Sequence, residues 1–227
     1  MPADDTYTHG HYDSVLRSHR WRTAANSAAY LLDRLRPGMS LLDVGCGPGT
    51  LTADLAGHVA PGRVVGIDVD ADVVALAREH IDSSGTPDVE LLVGDFREAR
   101  LEPGSFHVVH AHQVLQHLRD PVGALAAMAS LARPEGGIVA VRDADYPGMV
   151  WALGDERLNR WLEVYLGVTR ANGAAADAGR HLFRWAHEAG MSDVTYTTST
   201  WTFATPEERA WWADLWAERT VASAFAE

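Results

Sequence analysis

The chain has 227 residues, 47% of them hydrophobic, and its 31 acidic and 19 basic residues give a formal net charge of −12. That length and composition suit one domain with a substantial core, while the acidic balance opposes a nucleic-acid groove, which would have to be built against the chain's own field. All 19 basic residues are arginine, which excludes lysine Schiff-base chemistry, pyridoxal-phosphate anchoring and a phosphate-loop lysine together.

No apolar run is long enough to cross a bilayer, and the start, MPADDTYTHG, has neither a basic region nor an apolar core of signal-peptide type. The single Cys46 cannot form an internal disulfide. A cytoplasmic protein is expected, with residues 1–227 as one domain: a preface (1–37), a cofactor-binding core (38–143), and a substrate cover with a last strand and helix (144–227).

Residues 12–35 predict the helical preface, with SAAYLLDRL apolar on one face and RPG closing it. Short apolar runs then read as buried strands: SLLDV (40–44), RVVGID (63–68), VELLVGD (89–95), FHVVHA (106–111) and GGIVAVRD (136–143). Between them Val73, Val74, Ala77 and Ile81, and later Val122, Leu125, Ala126 and Ala129, recur at helical spacing. The pattern is βαβαβαβαβ. It predicts an α/β fold, a doubly wound, mainly parallel sheet with helices on both faces and ligands at the carboxyl ends of the strands. Helices are expected at 155–171 and 178–189, a sixth strand over DVTYTTSTWTF (193–203), and a final helix from Thr205 with a Thr cap, Pro206 and acids in the first turn.

The first strand runs into LLDVGCGPGT, where Gly45, Gly47 and Gly49 spell GxGxG. A phosphate loop would need a lysine. A dinucleotide loop would need GxGxxG, and here Thr50 falls where the third glycine belongs; Pro48 also removes an amide from the turn.

Four stretches, LLDVGCGPGTLTADLA, VVGIDVDADVVALARE, VGDFREARLEPGSFHVV and HQVLQHLRDP, together resemble the class I S-adenosylmethionine-dependent methyltransferases, within them the small-molecule branch of the ubiquinone and menaquinone biosynthesis C-methyltransferases. The resemblance covers residues 38–143 and implies a Rossmann-like fold with S-adenosyl-L-methionine as cofactor. It implies that Gly45, Gly47 and Gly49 let the backbone approach the methionine part, with Asp43 steadying the loop and the ammonium group. It further implies that Asp68 accepts from the ribose hydroxyls and that Asp95 accepts from the adenine amino group, with Phe96 beside the ring. His107 departs from the family, where an aspartate commonly follows the phenylalanine. The family's sheet ends in a sixth strand and an antiparallel seventh; here everything beyond Thr205 reads as helix.

Methyl transfer asks a protein to align the nucleophile and, where needed, remove its proton. His112 after strand four and Asp145 after strand five are the catalytic candidates. Gln113, Asp143, Tyr146, His11 and Tyr12 are candidates for substrate contact, and His117 reads as a helix-end residue favoured by the dipole. The pairs His9/His11 and His110/His112 have a spacing that invites a metal, but no Cys cluster, HExxH or third ligand accompanies them, and no metal is expected. The tryptophans of the second half, Trp151 to Trp216, are expected mostly in the core, some lining an apolar pocket.

The expected function is methyl transfer from S-adenosylmethionine to an O, N or C nucleophile of a small, partly apolar molecule, with no nucleic acid, no membrane span, and homodimer formation left open. The alternatives are other chemistry on the same cofactor, a non-catalytic binding or scaffold protein keeping the fold, and, more distantly, a dinucleotide dehydrogenase.

Overall fold

The computed structural model describes residues 13–86 and 89–222. Its five strands are β1 (Leu41–Val44), β2 (Val64–Asp68), β3 (Val89–Val93), β4 (Val108–His112) and β5 (Ile138–Arg142). They form one sheet in the order β3-β2-β1-β4-β5 with every pairing parallel. The chain fills β1, β2 and β3 outward to one side, then returns to the other side of β1 for β4 and β5. The topological switch point therefore falls between β1 and β4, where crossover connections diverge and leave a crevice. Both strands are buried along their whole length, which is why they read as mostly apolar runs, interrupted only by Asp43 in β1 and by His110 and His112 in β4.

Helices α1 (Asp13–Arg20), α2 (Ala24–Ser27), α3 (Ala29–Leu32), α4 (Thr50–Val59), α5 (Ala71–Ser84) and α6 (Pro121–Leu131) accompany the sheet. On one face Leu31, Leu35, Leu51, Leu55 and Val59 pack on Leu41, Val64, Val108 and Ala140; on the other, Leu125, Met128, Leu182 and Trp185 pack on Leu42, Val65 and Val109. The local signals are those read from the sequence: Asp70 accepts from the N–H groups of Asp72 and Val73, and Asp120 accepts from Gly123 ahead of Pro121. The preface departs from one continuous helix, because α1 stops at Arg20 and Thr23 opens a new capping box with Asn26. Cover helices α7 (Glu156–Ala171) and α8 (Ala178–Glu188) follow β5.

The last helix, α9 (Pro206–Ala222), starts where the sequence placed it. Glu208 accepts from the N–H groups of Ala204 and Thr205, and Thr205 Oγ1 accepts from Glu208 N–H. Leu215 and Trp216 bury against Tyr146 and Tyr165, and α9 packs along α1.

The expected sixth strand is absent. Residues 193–203 run without regular structure, and among the described residues no strand follows β5. Alternating Thr, Tyr and Trp give this run a strand-like pattern, but side chains hold it instead of a ladder. The Tyr196 hydroxyl donates to the Gly179 carbonyl (2.9 Å), Ser199 Oγ accepts from Arg142 Nε (3.2 Å), and Trp201 Nε1 donates to the Asn26 carbonyl (2.8 Å).

Candidate active site

The glycine loop is fastened to the end of β2. Gly45 and Cys46 N–H groups both donate to the Ile67 carbonyl on β2, and Gly47 N–H donates to Asp68 Oδ2 at 3.0 Å. Gly45 and Gly49 have φ values of +66° and +78°, and each lies where a side chain would collide: a Cβ on Gly45 would sit 2.5 Å from Val114 Cγ2, and one on Gly49 2.9 Å from Ala77 Cβ. The sequence has glycine there because the backbone conformation and the neighbours both require it.

Asp43, 2% exposed, sits in β1 directly before this loop. Its Oδ1 faces His110 Nδ1 at 2.7 Å, and its Oδ2 accepts from the Thr52 hydroxyl at 2.5 Å. Asp43 and His110 are register partners on adjacent strands, so the pair is built into the sheet. A buried carboxylate with two donors ties β1, β4 and α4 together beneath the loop. Burial, with Asp43 and Asp68 nearby, pushes the Cys46 thiol up, leaving it a small inert side chain.

Above the loop lies a cavity of about 30 Å³, room for one small group, bounded by Asp43, Gly45, Gly47, His19, Arg22 and His112. His112 ends β4 at the switch point and is 5% exposed. Neither of its ring nitrogens has a hydrogen-bond partner among the described residues. Burial first, then the positive fields of Arg22, Arg142, His110 and His19, hold its pKa well below the usual histidine range. Gln113, beside it, adopts φ +57°, and its Oε1 accepts from Arg22 Nη2 at 2.6 Å.

The other expected site residues are dispersed. Asp68 also accepts from Asp70 N–H (3.2 Å). Asp95 ends the turn after β3 and is ion-paired with Arg97 at 2.6 Å; hydrogen bonds from Arg97 outweigh partial burial and lower its pKa. Phe96 is 7% exposed and packs into the core cluster that holds Ile67 and Leu115. Asp143 accepts from the N–H groups of Leu115 and Gln116 at 3.2 and 3.3 Å, and burial pushes its pKa up to about 7. Asp145 is held by Arg180 (2.8 Å). Tyr146 lies in the aromatic cluster, 4.7 Å from Tyr165 between ring centroids. His9, His11 and Tyr12 lie outside the described residues.

His117 is not a dipole-stabilised cation: burial first, then Arg22, pushes its pKa down to about 3. His107 serves as an acceptor, its Nδ1 taking the Ser40 N–H at 2.9 Å. Trp185 and Trp216 are buried, while the other tryptophans of the second half are only partly so. Among the described residues no three His, Cys, Asp or Glu side chains gather as a metal site.

Sequence reasoning missed His19, Arg22 and Arg142. The first two come from the preface and close the cavity. Arg142, at the end of β5, is the register partner of His112, and its guanidinium lies over the Trp201 ring, 4.5 Å from its centroid.

A methyltransferase-domain family model matches residues 35–168. An uncharacterized methyltransferase of Schizosaccharomyces pombe is 30% identical over 98% of this chain and 82% of its own length. A ubiquinone biosynthesis O-methyltransferase of Methylococcus capsulatus is 37% identical over 44% of this chain, which spans only 42% of that relative. Among solved structures, a SAM-dependent methyltransferase from Aquifex aeolicus superposes with a TM-score of 0.54 at 20% identity, covering 70% of this chain and 88% of its own. The chain belongs to the methyltransferase-domain family, in its class I, Rossmann-like form. It is an S-adenosylmethionine-dependent methyltransferase.

Proposed function

We propose that the chain moves the methyl group of S-adenosylmethionine to an O, N or C nucleophile of a small, partly apolar molecule, and that His112 faces that nucleophile. The observation that carries this reading is His112 itself, buried at the switch point, lining the cavity of the glycine loop, with neither ring nitrogen partnered among the described residues. Buried polar atoms are normally satisfied, so an open imidazole at such a place awaits a ligand.

The residues present fit the cofactor. Gly45, Gly47 and Gly49 all hold positive φ, a loop course that side-chain-bearing residues resist, and Gly45 and Gly47 line the cavity. Asp43, the glycine loop, His19 and Arg22 line one small cavity, and the Arg22 guanidinium there suits the carboxylate of the cofactor's methionine part. Asp68, which accepts from the Gly47 and Asp70 N–H groups at the end of β2, is assigned to the ribose hydroxyls. Asp95, also an acceptor, would serve the adenine end, with Phe96 supporting it from the core.

When bound, the cofactor supplies a methyl group already activated by a sulfonium. The protein's part is to exclude water, orient the nucleophile and hold its proton. His112, kept neutral, can accept that proton at either ring nitrogen. Asp143, Gln113, Tyr146, His11 and Tyr12 are assigned to the acceptor side, with Asp145, fixed by Arg180, as the second candidate for proton handling. The roof comes from the aromatic side chains Trp21 and Trp201, in edge contact at 5.1 Å, with Phe203 and Trp211 beyond; their apolar surface suits a partly apolar acceptor.

The test is to incubate the purified chain with S-adenosylmethionine and a panel of phenols, quinols, amines and sterols and to seek products heavier by one methylene by mass spectrometry. Binding of S-adenosylhomocysteine in calorimetry is expected. Its failure, or binding of NADH instead, overturns the reading.

A further inference from the structure

At the carboxyl edge of the sheet the guanidinium of Arg142 forms no salt bridge among the described residues; the Asp143 carboxyl and the Tyr30 hydroxyl act on it only through space. Arg142 is half-buried at the end of β5; its Nε donates to Ser199 Oγ and its plane lies over Trp201. Its two Nη groups, four N–H donors, have no partner among the described residues. The neighbouring carboxylates are already used: Asp43 by His110 and Thr52, Asp143 by the Leu115 and Gln116 amides, Asp145 by Arg180. A half-buried guanidinium whose Nη donors meet no acceptor among the described residues is stabilised when an anion takes them.

The surroundings of His112 point the same way. The ionisable groups acting on its ring are Arg22 from the loop before α2, Arg142 from β5, His110 from β4 and His19 from α1, all basic. Two acids act on these groups: Asp43 is bonded to His110, and Asp143, its pKa pushed up to about 7 by burial, faces Arg22 and Arg142. In a chain of net charge −12 this is a local island of positive potential.

We propose that the methyl acceptor is an organic oxyanion, a small molecule whose carboxylate or phosphate is gripped by the Nη fork of Arg142 while its nucleophile faces His112. This rests on the methyltransferase reading above. A planar fork of donors matches either oxyanion. Because Arg142 and His112 are register partners, about 4.8 Å apart across the strands, anion and nucleophile belong to one compact molecule and lie a few bonds apart. The anion does a second job: it offsets the field of Arg142 on His112, so the imidazole regains basicity only when the acceptor is seated. The bond formed joins the nucleophile to the methyl carbon, and the methyl–sulfur bond breaks with its electron pair left on sulfur. The acceptor's proton passes to His112.

The experiment follows the imidazole of His112 by NMR in the full chain with S-adenosylhomocysteine present. Formate and inorganic phosphate are the probes, formamide is the neutral control, and chloride keeps ionic strength constant; His112→Asn assigns the resonance. Formate or phosphate is expected to raise the pH at which His112 titrates, formamide to leave it unchanged, and the stronger anion names the group. Arg142→Gln is expected to weaken that response about tenfold or more. Arg142→Lys, which keeps the charge without the fork, is expected to retain part of it, and carries the test if the glutamine variant fails to fold. A titration unmoved by either anion, or a response that persists in Arg142→Gln, overturns the proposal. Calorimetry with S-adenosylhomocysteine separates the two readings: no binding removes the methyltransferase assignment, whereas binding without an anion response removes only the oxyanion.

Discussion

Replacing Asp143 with asparagine should change how stability depends on pH. The Asp143 carboxyl is enclosed against the turn Leu115–His117, and its pKa of about 7 stands above the ordinary 3.8, because burial outweighs the two long amide hydrogen bonds and the fields of Arg22 and Arg142. A raised folded pKa means that the folded chain holds this proton after the unfolded chain has lost it. Its contribution is therefore fully present below about pH 4 and is lost as pH rises through about 7. The full shift, about 3 pH units, corresponds to roughly 4 kcal/mol. The residue as a whole is only part-buried, so water screens some of that cost, and an amplitude of about 2 kcal/mol is expected. Asp143→Asn has no charge to desolvate and loses one acceptor, worth about 1 kcal/mol. Urea unfolding of both proteins from pH 4.5 to 8 is the assay. The variant should be slightly less stable than the wild type at the acid end and gain on it by about 2 kcal/mol across the range. Parallel pH profiles would refute the reasoning and show that the carboxyl ionises at little cost in the fold.

Four further changes test the loop, the site and a helix position outside both. Asp68→Ala should weaken S-adenosylhomocysteine binding about 10- to 100-fold in calorimetry, because two hydroxyls lose a charged acceptor; unchanged affinity removes Asp68 from the site. Gly49→Ala should destabilise by about 1–3 kcal/mol in urea unfolding, since a Cβ meets Ala77 at 2.9 Å on a backbone at φ +78°. Gly57→Ala, in open space on α4, should instead stabilise by about 0.5–1 kcal/mol. His112→Ala should lower turnover about 100-fold while leaving cofactor affinity nearly unchanged; a normal rate would leave catalysis to alignment alone.

The sheet was legible because its central strands are buried along their length and mostly apolar, and because Gly45 and Gly49 mark a conformation that other residues resist. The stretch 193–203 misled because alternation of Thr with Tyr and Trp satisfies the strand pattern without guaranteeing a partner. In the site, Asp43 was legible from its place before the loop, but its partner His110 was not, since the contact exists only once β4 lies beside β1. Arg142 was hidden for the same reason. An arginine closing an apolar strand reads as a surface charge until the register sets it beside His112.

The chain after β5 returns to the site without adding to the sheet, so its hold on the carboxyl edge is made by side chains alone. Trp201 makes most of that connection: its ring carries Arg142, its indole N–H reaches Asn26, and its edge meets Trp21. Backbone ladders hold a strand through many residues at once, whereas a segment pinned at a few side chains can open while the sheet stays intact. The roof thus joins three stretches distant in sequence, the preface, the run after α8 and α9, through Trp21, Trp201, Phe203 and Trp211. The glycine loop and Asp43, fastened to the sheet, provide the rigid half of the site. Arg142 takes part in both halves, fixed by its backbone to β5 and by its side chain to Trp201, so whatever it binds is felt directly by the roof.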